Sequence, residues 1–335
     1  MTLPVELQSR LRLPLIAAPM LKVSGPELVV AACRAGVMGA FPTANAGDEA
    51  TLDQWLGRIQ QALTASDAPC VPNIIIHRAP HKLAADVAAI RRHGVQWAIT
   101  SVGSPAPVVA PLHDAGCRVL ADVGSLAHAR KAVAAGADGL VLLSAGAGGQ
   151  TGWLNGLAFV RAVREWFDGP VVLAGGISDG HALWAARAAG ADLAYMGTRC
   201  IAVRESMANE AYRELLLQCD ADDVLLTRAF TGLPTSMLRP SIEAAGLDPT
   251  ALDESVSPAQ AQALFGAARA TFEQPGEAPP AGPQRWRDIR SAGHTVGAVR
   301  EVTDMQTLVQ ATRREYADAM RRSLEEAAAD PFGLR

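Results

Sequence analysis

Residues 144–155 read SAGAGGQTGWLN and place four glycines around one polar side chain, Gln150. Glycine-dense turns occur where the backbone approaches another group closely or takes a positive φ. The amide of Gln150 can donate and accept hydrogen bonds, but it cannot take up a proton near neutral pH. The stretch therefore predicts a binding loop in which Gln150 orients the reacting molecule.

Two more glycine turns follow later apolar runs, Gly175-Gly176 and Gly197-Thr198. Glycine lets backbone N–H groups approach phosphate oxygens, the N-terminus of a following helix adds a favourable dipole, and the Thr198 hydroxyl is a further donor. Ordinary tight turns also contain glycine, but two such turns one strand apart favour a phosphate site. Arg199 either neutralises this phosphate or pairs with a carboxylate.

Several ionisable or aromatic side chains are expected near these turns. His77 follows the third apolar run and is the first candidate for a catalytic base, if the chemistry needs one. Asp122 ends the fifth run, where it either contacts the bound molecule or caps the next helix. His181 fits a cofactor contact or a helix cap, and His294 reaches the site only if the C-terminal region folds over it. The Trp153 side chain either lines the pocket or packs between the glycine-rich loop and the C-terminal region.

These residues lie among short apolar runs that alternate with helical patterns. Eight runs, dense in Val, Ile, Leu and Ala, occupy residues 13–18, 37–41, 70–76, 95–100, 117–122, 138–144, 170–175 and 191–196. Such runs are typical of parallel strands buried on both faces. Helix signals separate them: Ser24 can cap the first long helix, Pro26 lies in its first turn and Gly36 follows its end.

A weak internal repeat points to the fold class. Residues 125–138 and 179–192 both have a helical pattern that ends in Ala-Gly-Ala-Asp before an apolar run. Eight such units favour a (β/α)8 TIM barrel over an open doubly wound sheet, which the pattern alone does not exclude. In a barrel, the candidate residues would gather at the C-terminal ends of the strands, where active sites form.

The alternation of apolar runs and helical patterns ends near residue 204. We predict an α/β protein with a (β/α)8 barrel over residues 1–204 and an appended, mainly helical C-terminal cap subdomain over residues 205–335. Within the cap, residues 222–240 could form a strand and an extended segment. The prolines of residues 274–284, QPGEAPPAGPQ, exclude regular structure there.

Composition narrows the class of partner. Of the 335 residues, 49% are hydrophobic and 19% are charged, and the net charge is −4. Because Lys and Arg are scattered, neither nucleic acid nor an anionic membrane is expected as a partner. Without a membrane-spanning run or a signal peptide, we expect a cytoplasmic protein. The five cysteines form no CxxC pair, so neither a metal site nor a disulfide is expected.

Taken in order, the motifs resemble those of the nitronate monooxygenase family, formerly called 2-nitropropane dioxygenases, which are FMN-dependent barrels. The matching stretches are APM (18–20), PNIIIHR (72–78), AGADGLVLLSAGAGGQTG (135–152), LAGGIS (173–178), ADLAYMGTR (191–199), VLLTRAFTGLPTSMLR (224–239) and GHTVGAV (293–299). Each motif is weak by itself, but their order and spacing together are specific and cover nearly the full chain.

The resemblance implies a set of cofactor-binding residues. The backbone of Ala18, Pro19 and Met20 would lie against the flavin, Asn73 would hydrogen-bond it, Gly148 and Gly149 would line its edge, Gly175, Gly176, Gly197 and Thr198 would hold its phosphate, and Asp122 is a further candidate contact. Many members read AGGH in the glycine-rich loop, with a histidine that acts as catalytic base. This chain has Gln150 at that position, which departs from the family pattern.

The resemblance therefore implies FMN-dependent oxidation of small alkyl nitronates with O₂ to a carbonyl product and nitrite. A preformed nitronate needs no base, whereas base-assisted oxidation of a neutral nitroalkane conflicts with Gln150. An FMN-dependent NAD(P)H:quinone or enoyl-thioester reductase is the alternative, as is a catalytically weak flavin-binding protein. A non-flavin barrel for a sugar phosphate ranks last. The sequence leaves open whether the chain forms a homodimer.

Overall fold

The computed structural model describes residues 3–266 and 282–329, and within them eight parallel strands close into a barrel. In chain order the strands are β1 (Leu15–Ala17), β2 (Met38–Pro42), β3 (Cys70–Ile75), β4 (Trp97–Ser101), β5 (Arg118–Val123), β6 (Gly139–Leu143), β7 (Gly149–Gln150), β8 (Val171–Ala174), β9 (Leu193–Met196), β10 (Val224–Thr227) and β11 (Thr235–Leu238). The barrel order is β1-β2-β3-β4-β5-β6-β8-β9, and β9 pairs with β1. All eight predicted strands are present, which confirms the (β/α)8 barrel.

Helices alternate with the barrel strands along the chain and continue after the last of them. They are α1 (Val5–Gln8), α2 (Pro26–Ala35), α3 (Glu49–Ala62), α4 (Pro80–Arg92), α5 (Ala106–His113), α6 (Leu126–Ala134), α7 (Gly156–Arg164), α8 (Gly180–Ala189), α9 (Thr198–Ile201), α10 (Glu210–Gln218), α11 (Arg239–Ala244), α12 (Pro258–Phe265) and α13 (Met305–Ala329), with short 3₁₀ turns at Thr43–Ala46, Ala221–Asp223 and His294–Ala298. Gly25, and not Ser24, is the N-cap residue of α2. Pro26 and Gly36 lie at its two ends, as the sequence predicted.

The strands are apolar throughout because both of their faces are buried. Ile16, Val141 and Leu193 pack against one another inside the barrel. Leu15 and Leu142 point outward and pack in the layer between the strands and the helices. Since successive side chains of a strand point to opposite faces, every second residue enters the interior.

The last helix, α13, completes the outer ring of the barrel. It packs against α2 and α8, and its side chains Met305, Leu308 and Val309 join the core between strands and helices. The predicted division at residue 204 assigned this helix to the cap. In the structure, the appended part of the chain therefore lies between β9 and the final helix of the ring.

The appended part holds α10, α11 and α12 together with β10 and β11, an antiparallel pair. The sheet has a third strand, β7, which belongs to the glycine-rich loop of the barrel and pairs with β11. The proline-rich segment that the sequence predicted to be irregular lies mostly outside the described residues. The glycine-rich loop is thus joined to the appended part by backbone hydrogen bonds.

Two general expectations can be compared with the structure. No helix in residues 3–266 and 282–329 is both long enough and apolar enough to cross a bilayer. All five cysteines are free thiols, and four of them are buried. Burial raises the pKa of the Cys33, Cys117 and Cys200 thiols to about 12, so these three are uncharged packing residues at neutral pH.

Candidate active site

Four polar side chains enter the interior at the C-terminal end of the barrel. Asn73, Ser101, Asp122 and Tyr195 come from β3, β4, β5 and β9, two residues beyond the interior positions filled by apolar side chains. The sequence singled out Asn73 and Asp122 but missed Ser101 and Tyr195. The period of two along each strand places all four together, because each lies at an interior position of its own strand.

Asn73 is buried, with a relative exposure of 3%. The Ser101 hydroxyl donates to its Oδ1 atom at 3.1 Å, and this bond fixes the orientation of the amide. Its Nδ2 group is also buried and has no hydrogen-bond partner within the described part of the chain. An unpaired buried donor costs about 1–3 kcal/mol, so an acceptor on a bound molecule would stabilise this arrangement. The geometry fits the predicted hydrogen bond from Asn73 to a flavin.

A buried network supports the end of β3. The Thr43 hydroxyl lies 3.3 Å from the Asn73 carbonyl oxygen and 2.8 Å from Oδ2 of Asp86. Arg78 forms an ion pair with Asp86 and also contacts the Thr43 hydroxyl at 3.2 Å. Burial raises the pKa of Asp86, and the Arg78 charge opposes this effect. The network therefore fixes the backbone of Asn73 through its carbonyl group.

Asp122 and Tyr195 face each other across the barrel interior, since β5 and β9 are not neighbouring strands. The Tyr195 hydroxyl lies 3.5 Å from Oδ1 of Asp122, a long contact. Burial raises the pKa of the Asp122 carboxyl to about 8, although the Tyr195 hydrogen bond acts in the opposite direction. Burial, and then the nearby carboxyl, raise the pKa of Tyr195 well above its ordinary value. Ser125 caps α6, so the alternative of Asp122 as a helix cap is wrong.

The Ala18-Pro19-Met20 turn lies at the end of β1 beside Gly197. The Ala18 N–H donates to the Met196 carbonyl at 3.0 Å, and the Met20 N–H donates to the Ser24 hydroxyl at 3.1 Å. A Cβ atom on Gly197 would lie 3.7 Å from the Cβ of Ala18 and 3.8 Å from the sulfur of Met20. The structure thus brings this turn next to one of the two predicted phosphate turns.

Of the N–H groups predicted to bind a phosphate, some are free and others already donate to protein acceptors. The N–H groups of Gly176 and Gly197 have no acceptor among the described residues, and Gly176 faces open space. The first turn of α8 is already occupied, because Asp179 accepts the Ala182 N–H and Glu315 accepts the Gly180 N–H. The helix dipole that the sequence invoked at α8 therefore already faces two carboxylates.

Two side chains complete this region. Thr198 is buried, and its Oγ1 atom accepts the Gly293 N–H at 2.9 Å, which leaves the hydroxyl proton able to donate. Arg199 donates to the Ser178 carbonyl at 3.1 Å, so its guanidinium lies at the turn that follows Gly175 and Gly176. The two free N–H groups, the Thr198 hydroxyl and the Arg199 guanidinium have the chemistry that a phosphate needs, and their role as its site stays a prediction.

The glycine-rich loop packs closely against residues 291–294. A Cβ atom on Gly148 would lie 2.8 Å from the Gly293 nitrogen, so no larger residue fits there without displacing backbone. The Gly149 N–H donates to the Ser291 hydroxyl at 2.7 Å, and the His294 N–H donates to the Gly146 carbonyl at 2.9 Å. The role of Gly148 and Gly149 beside a flavin stays a prediction. The observed role of Gly148 is close contact with the appended part.

Gln150 is half-buried in β7, opposite Thr235 of β11. Its side-chain amide has no hydrogen-bond partner within residues 3–266 and 282–329. Trp153 lies three residues further along and is 83% exposed, so it does not pack between the loop and the appended part. The strand pairing holds the backbone of Gln150 in place and leaves its amide available to a bound molecule.

The three histidine candidates are exposed. His77 follows β3 at the rim and lies beside Gly103, His181 lies in the first turn of α8, and His294 follows Gly293 against the glycine-rich loop. The ring of His294 approaches Gly146, since a Cβ atom there would lie 2.7 Å from His294 Nδ1. The appended part therefore does fold over the loop. A catalytic role for His77 stays a prediction.

Residues 81–261 match the family model described as nitronate monooxygenase. The chain belongs to the nitronate monooxygenase family. The family is flavin-dependent, and relatives of this chain in it are named as nitronate monooxygenases. The nitronate monooxygenase of Pseudomonas aeruginosa is 31% identical over 275 residues, which cover 67% of this chain and 77% of that protein.

A second relative has a different activity. The (3aS,4S,5R,7aS)-5-hydroxy-7a-methyl-1-oxo-octahydro-1H-indene-4-carboxyl-CoA dehydrogenase of Mycobacterium tuberculosis is 32% identical over 230 residues, or 68% of this chain. The chain spans 63% of that protein and 62% of its Rhodococcus jostii counterpart. Among solved structures, the nitroalkane oxidase of Streptomyces ansochromogenes aligns with a TM-score of 0.73 and 27% identity, over 95% of this chain and 99% of that one.

Proposed function

We propose that this family member uses FMN to oxidise small alkyl nitronates with O₂, giving a carbonyl compound and nitrite. The nitronate monooxygenase relative and the nitroalkane oxidase structure support this substrate class. FMN, when bound, carries electrons from the nitronate to O₂. The protein's own task is to hold the cofactor, admit a small anion and orient its nitro group.

The groups that would hold FMN come from three places at the C-terminal end of the barrel, which we call the mouth. The unpaired Asn73 amide supplies a donor for an acceptor on the ring. The free N–H groups of Gly176 and Gly197, with the Thr198 hydroxyl, supply donors for the phosphate. The fixed backbone of the turn at residues 18–20 supplies a flat apolar neighbour for the ring.

The observation that carries the nitronate proposal is the environment of Gln150. Its amide is available for hydrogen bonds to nitro oxygens, but an amide cannot remove a proton from carbon. None of the seven histidines is buried, so none lies inside the barrel. A nitronate is already deprotonated at its reactive carbon, so this site can orient and oxidise it without a protein base.

The test is an anaerobic reduction assay on the purified protein, which follows the flavin absorption band. Separate cuvettes receive propane 2-nitronate, propionate 3-nitronate, neutral 2-nitropropane, NADH and NADPH. We expect both nitronates to bleach the band, the neutral nitroalkane to react far more slowly, and O₂ to restore the band with release of nitrite. Absence of a flavin band after addition of FMN would overturn the proposal.

One alternative is favoured by a specific observation, the similarity to the carboxyl-CoA dehydrogenase of Mycobacterium tuberculosis. In this alternative the protein is an FMN-dependent oxidoreductase of an acyl thioester, with NAD(P)H as electron donor in the reducing direction. Rapid bleaching by NADH or NADPH, followed by re-oxidation with an enoyl thioester and no response to nitronates, would establish it in place of nitronate oxidation.

A further inference from the structure

Asp122 is the one carboxyl group that the described strands place inside the barrel. It lies at the C-terminal end of β5, at the level of Asn73 and Ser101, and it is partly open to the mouth. Gly124, which directly follows β5, contacts the glycine-rich loop. A Cβ atom on Gly152 of that loop would lie 2.8 Å from the Gly124 carbonyl oxygen. The carboxyl therefore faces the space bounded by the loop that carries Gln150.

Among residues 3–266 and 282–329, no cation compensates the Asp122 carboxyl. Ser101, at the end of the adjacent strand β4, is neutral, and Leu120, at the preceding interior position of β5, is apolar. Within the described part of the chain, Tyr195 from β9 is the only titratable group that acts on this carboxyl, through the contact at 3.5 Å. Burial without a cation raises the pKa of Asp122 to about 8, so the carboxyl is mostly uncharged at neutral pH.

The charge state of this carboxyl decides which substrates the mouth can accept. As the neutral acid, Asp122 adds no negative charge and has a proton to donate in a hydrogen bond. As the carboxylate, it would repel a small anion, because two like charges interact strongly in a partly desolvated cavity. A site for nitronates therefore needs this side chain protonated.

We propose that Asp122 is the specificity-determining side chain that lets the mouth bind anionic substrates at neutral pH, and that its ionisation closes the site to them. Tyr195 is a positioning residue, since its hydroxyl contacts one oxygen of the carboxyl. The inference deepens the proposed nitronate activity and rests on it for the identity of the natural anion.

The direct test compares two inert ligands of the same shape and different charge, isobutyrate and isobutyramide. Their dissociation constants are read from perturbation of the flavin absorption band between about pH 6 and about pH 10. For isobutyrate we expect affinity that is constant well below pH 8 and falls about tenfold per pH unit above it, since only the protonated site binds. Isobutyramide should bind with the same affinity throughout.

Two variants and a control sharpen this test. Asp122→Asn, an isosteric change that cannot ionise, should make isobutyrate binding independent of pH. Tyr195→Phe should move the midpoint to higher pH, because the lost hydrogen bond favours the ionised form. Asp114→Asn, at an exposed position after α5, should behave as the unmodified protein. The same pH dependence in Asp122→Asn would overturn the inference, as would failure of isobutyrate to bind at any pH.

A readout that needs neither cofactor nor turnover is the infrared band of a protonated carboxyl in FMN-free protein. We expect a band that is lost with a midpoint near pH 8 and is absent in Asp122→Asn. A carboxyl already ionised at pH 6 would overturn the inference. If the carboxyl titrates near pH 8 and isobutyrate follows it, but no nitronate is turned over, then the proposed function fails while the anion selectivity stands.

Discussion

The two ends of the barrel differ in whether a buried carboxyl group has cations beside it. Before β9, at the N-terminal end, Asp192 is 4% exposed and pairs with Arg164 and, at 3.9 Å, with Arg187. At the C-terminal end, Asp122 has no cation beside it in the described part of the chain, and the Tyr195 hydroxyl makes only a long contact with it. At the N-terminal end the buried negative charge is compensated by cations, whereas at the C-terminal end described polar groups stay in an unfavourable environment, as is typical where a ligand binds.

The two ends also differ in how completely their polar groups are hydrogen-bonded, as the unpaired amide of Asn73 shows. At Asp192, two arginines compensate the charge of the carboxylate, which also accepts the Val171 N–H at 3.0 Å. At the mouth, Asn73 Nδ2 and the N–H groups of Gly176 and Gly197 have no protein partner within the described residues. The comparison predicts that substitutions at the N-terminal end of the barrel lower stability and that substitutions at the C-terminal end change ligand binding.

The largest effect is expected from Asp192→Ala. Removal of this buried carboxylate takes the anionic partner from the half-buried Arg164 guanidinium and the acceptor from the Val171 N–H, which should lower the free energy of unfolding by about 3–5 kcal/mol. Urea unfolding monitored by circular dichroism measures this change. Asp114→Ala, at an exposed site, is the control and should change stability by less than about 0.5 kcal/mol. A loss of less than about 1 kcal/mol in Asp192→Ala would contradict the comparison.

At the mouth, Asp122→Asn should raise stability at high pH. The pKa of about 8 in the fold lies above the ordinary value of 3.8, so protonation of Asp122 stabilises the fold fully below about pH 4. This contribution is lost as the pH rises to 8. At pH 9 the variant should be more stable than the unmodified protein by about 1–3 kcal/mol, less than full burial would give because the side chain is partly exposed.

Urea unfolding at several pH values between about 6 and 9 measures this difference, since the unmodified protein should lose stability over that range more steeply than the variant. Asp114→Asn should follow the unmodified protein. Equal slopes for Asp122→Asn and the unmodified protein would show that the carboxyl is already ionised at neutral pH.

Gly148→Ala should separate the glycine-rich loop from the appended part. The new Cβ atom would meet the backbone nitrogen of Gly293 at 2.8 Å, and relief of this overlap should cost about 1–3 kcal/mol. Hydrogen exchange should report faster exchange of the Gly149 N–H, which now donates to Ser291. Gly124→Ala is a matched control, because its Cβ atom would meet nothing closer than 3.6 Å. Equal exchange in the two variants would exclude the proposed role of Gly148.

The smallest effect is expected from Ser101→Ala. Loss of the hydroxyl frees the Asn73 amide to rotate, which should weaken FMN binding by about 0.5–1.5 kcal/mol, or roughly two- to tenfold. Fluorescence titration of FMN into the FMN-free protein measures the affinity. Ser101→Thr, which retains a hydroxyl, should restore most of it. Unchanged affinity in Ser101→Ala would mean that Asn73 does not contact the cofactor.

The sequence predicts the barrel well because local and global signals agree there. The apolar run at residues 138–144 contains no alternation, and in the fold both faces of β6 are buried as that pattern requires. Asn73 and Asp122 could be predicted at the mouth from their place at strand ends. Ser101 and Tyr195 could have been found by the same reasoning, since each lies at or near the end of its apolar run.

Other features depend on contacts between distant parts of the chain, which a local pattern does not contain. Ser24 has the chemistry of a helix cap, yet its hydroxyl accepts the Met20 N–H at 3.1 Å because the turn after β1 lies closer. Gly149 and Gln150 look like loop residues and become a strand only because β11 lies beside them. The occupied first turn of α8 results from Glu315, which is 135 positions away from Gly180.

The place of α13 in the ring has a consequence for how the protein is made. Its apolar side chains fill the groove between α2, near the start of the chain, and α8. Until α13 has been synthesised and has left the ribosome, this groove has no helix to cover it. The nascent barrel must then wait, with part of its outer surface open to water and to chaperones, until the last of its helices has been synthesised.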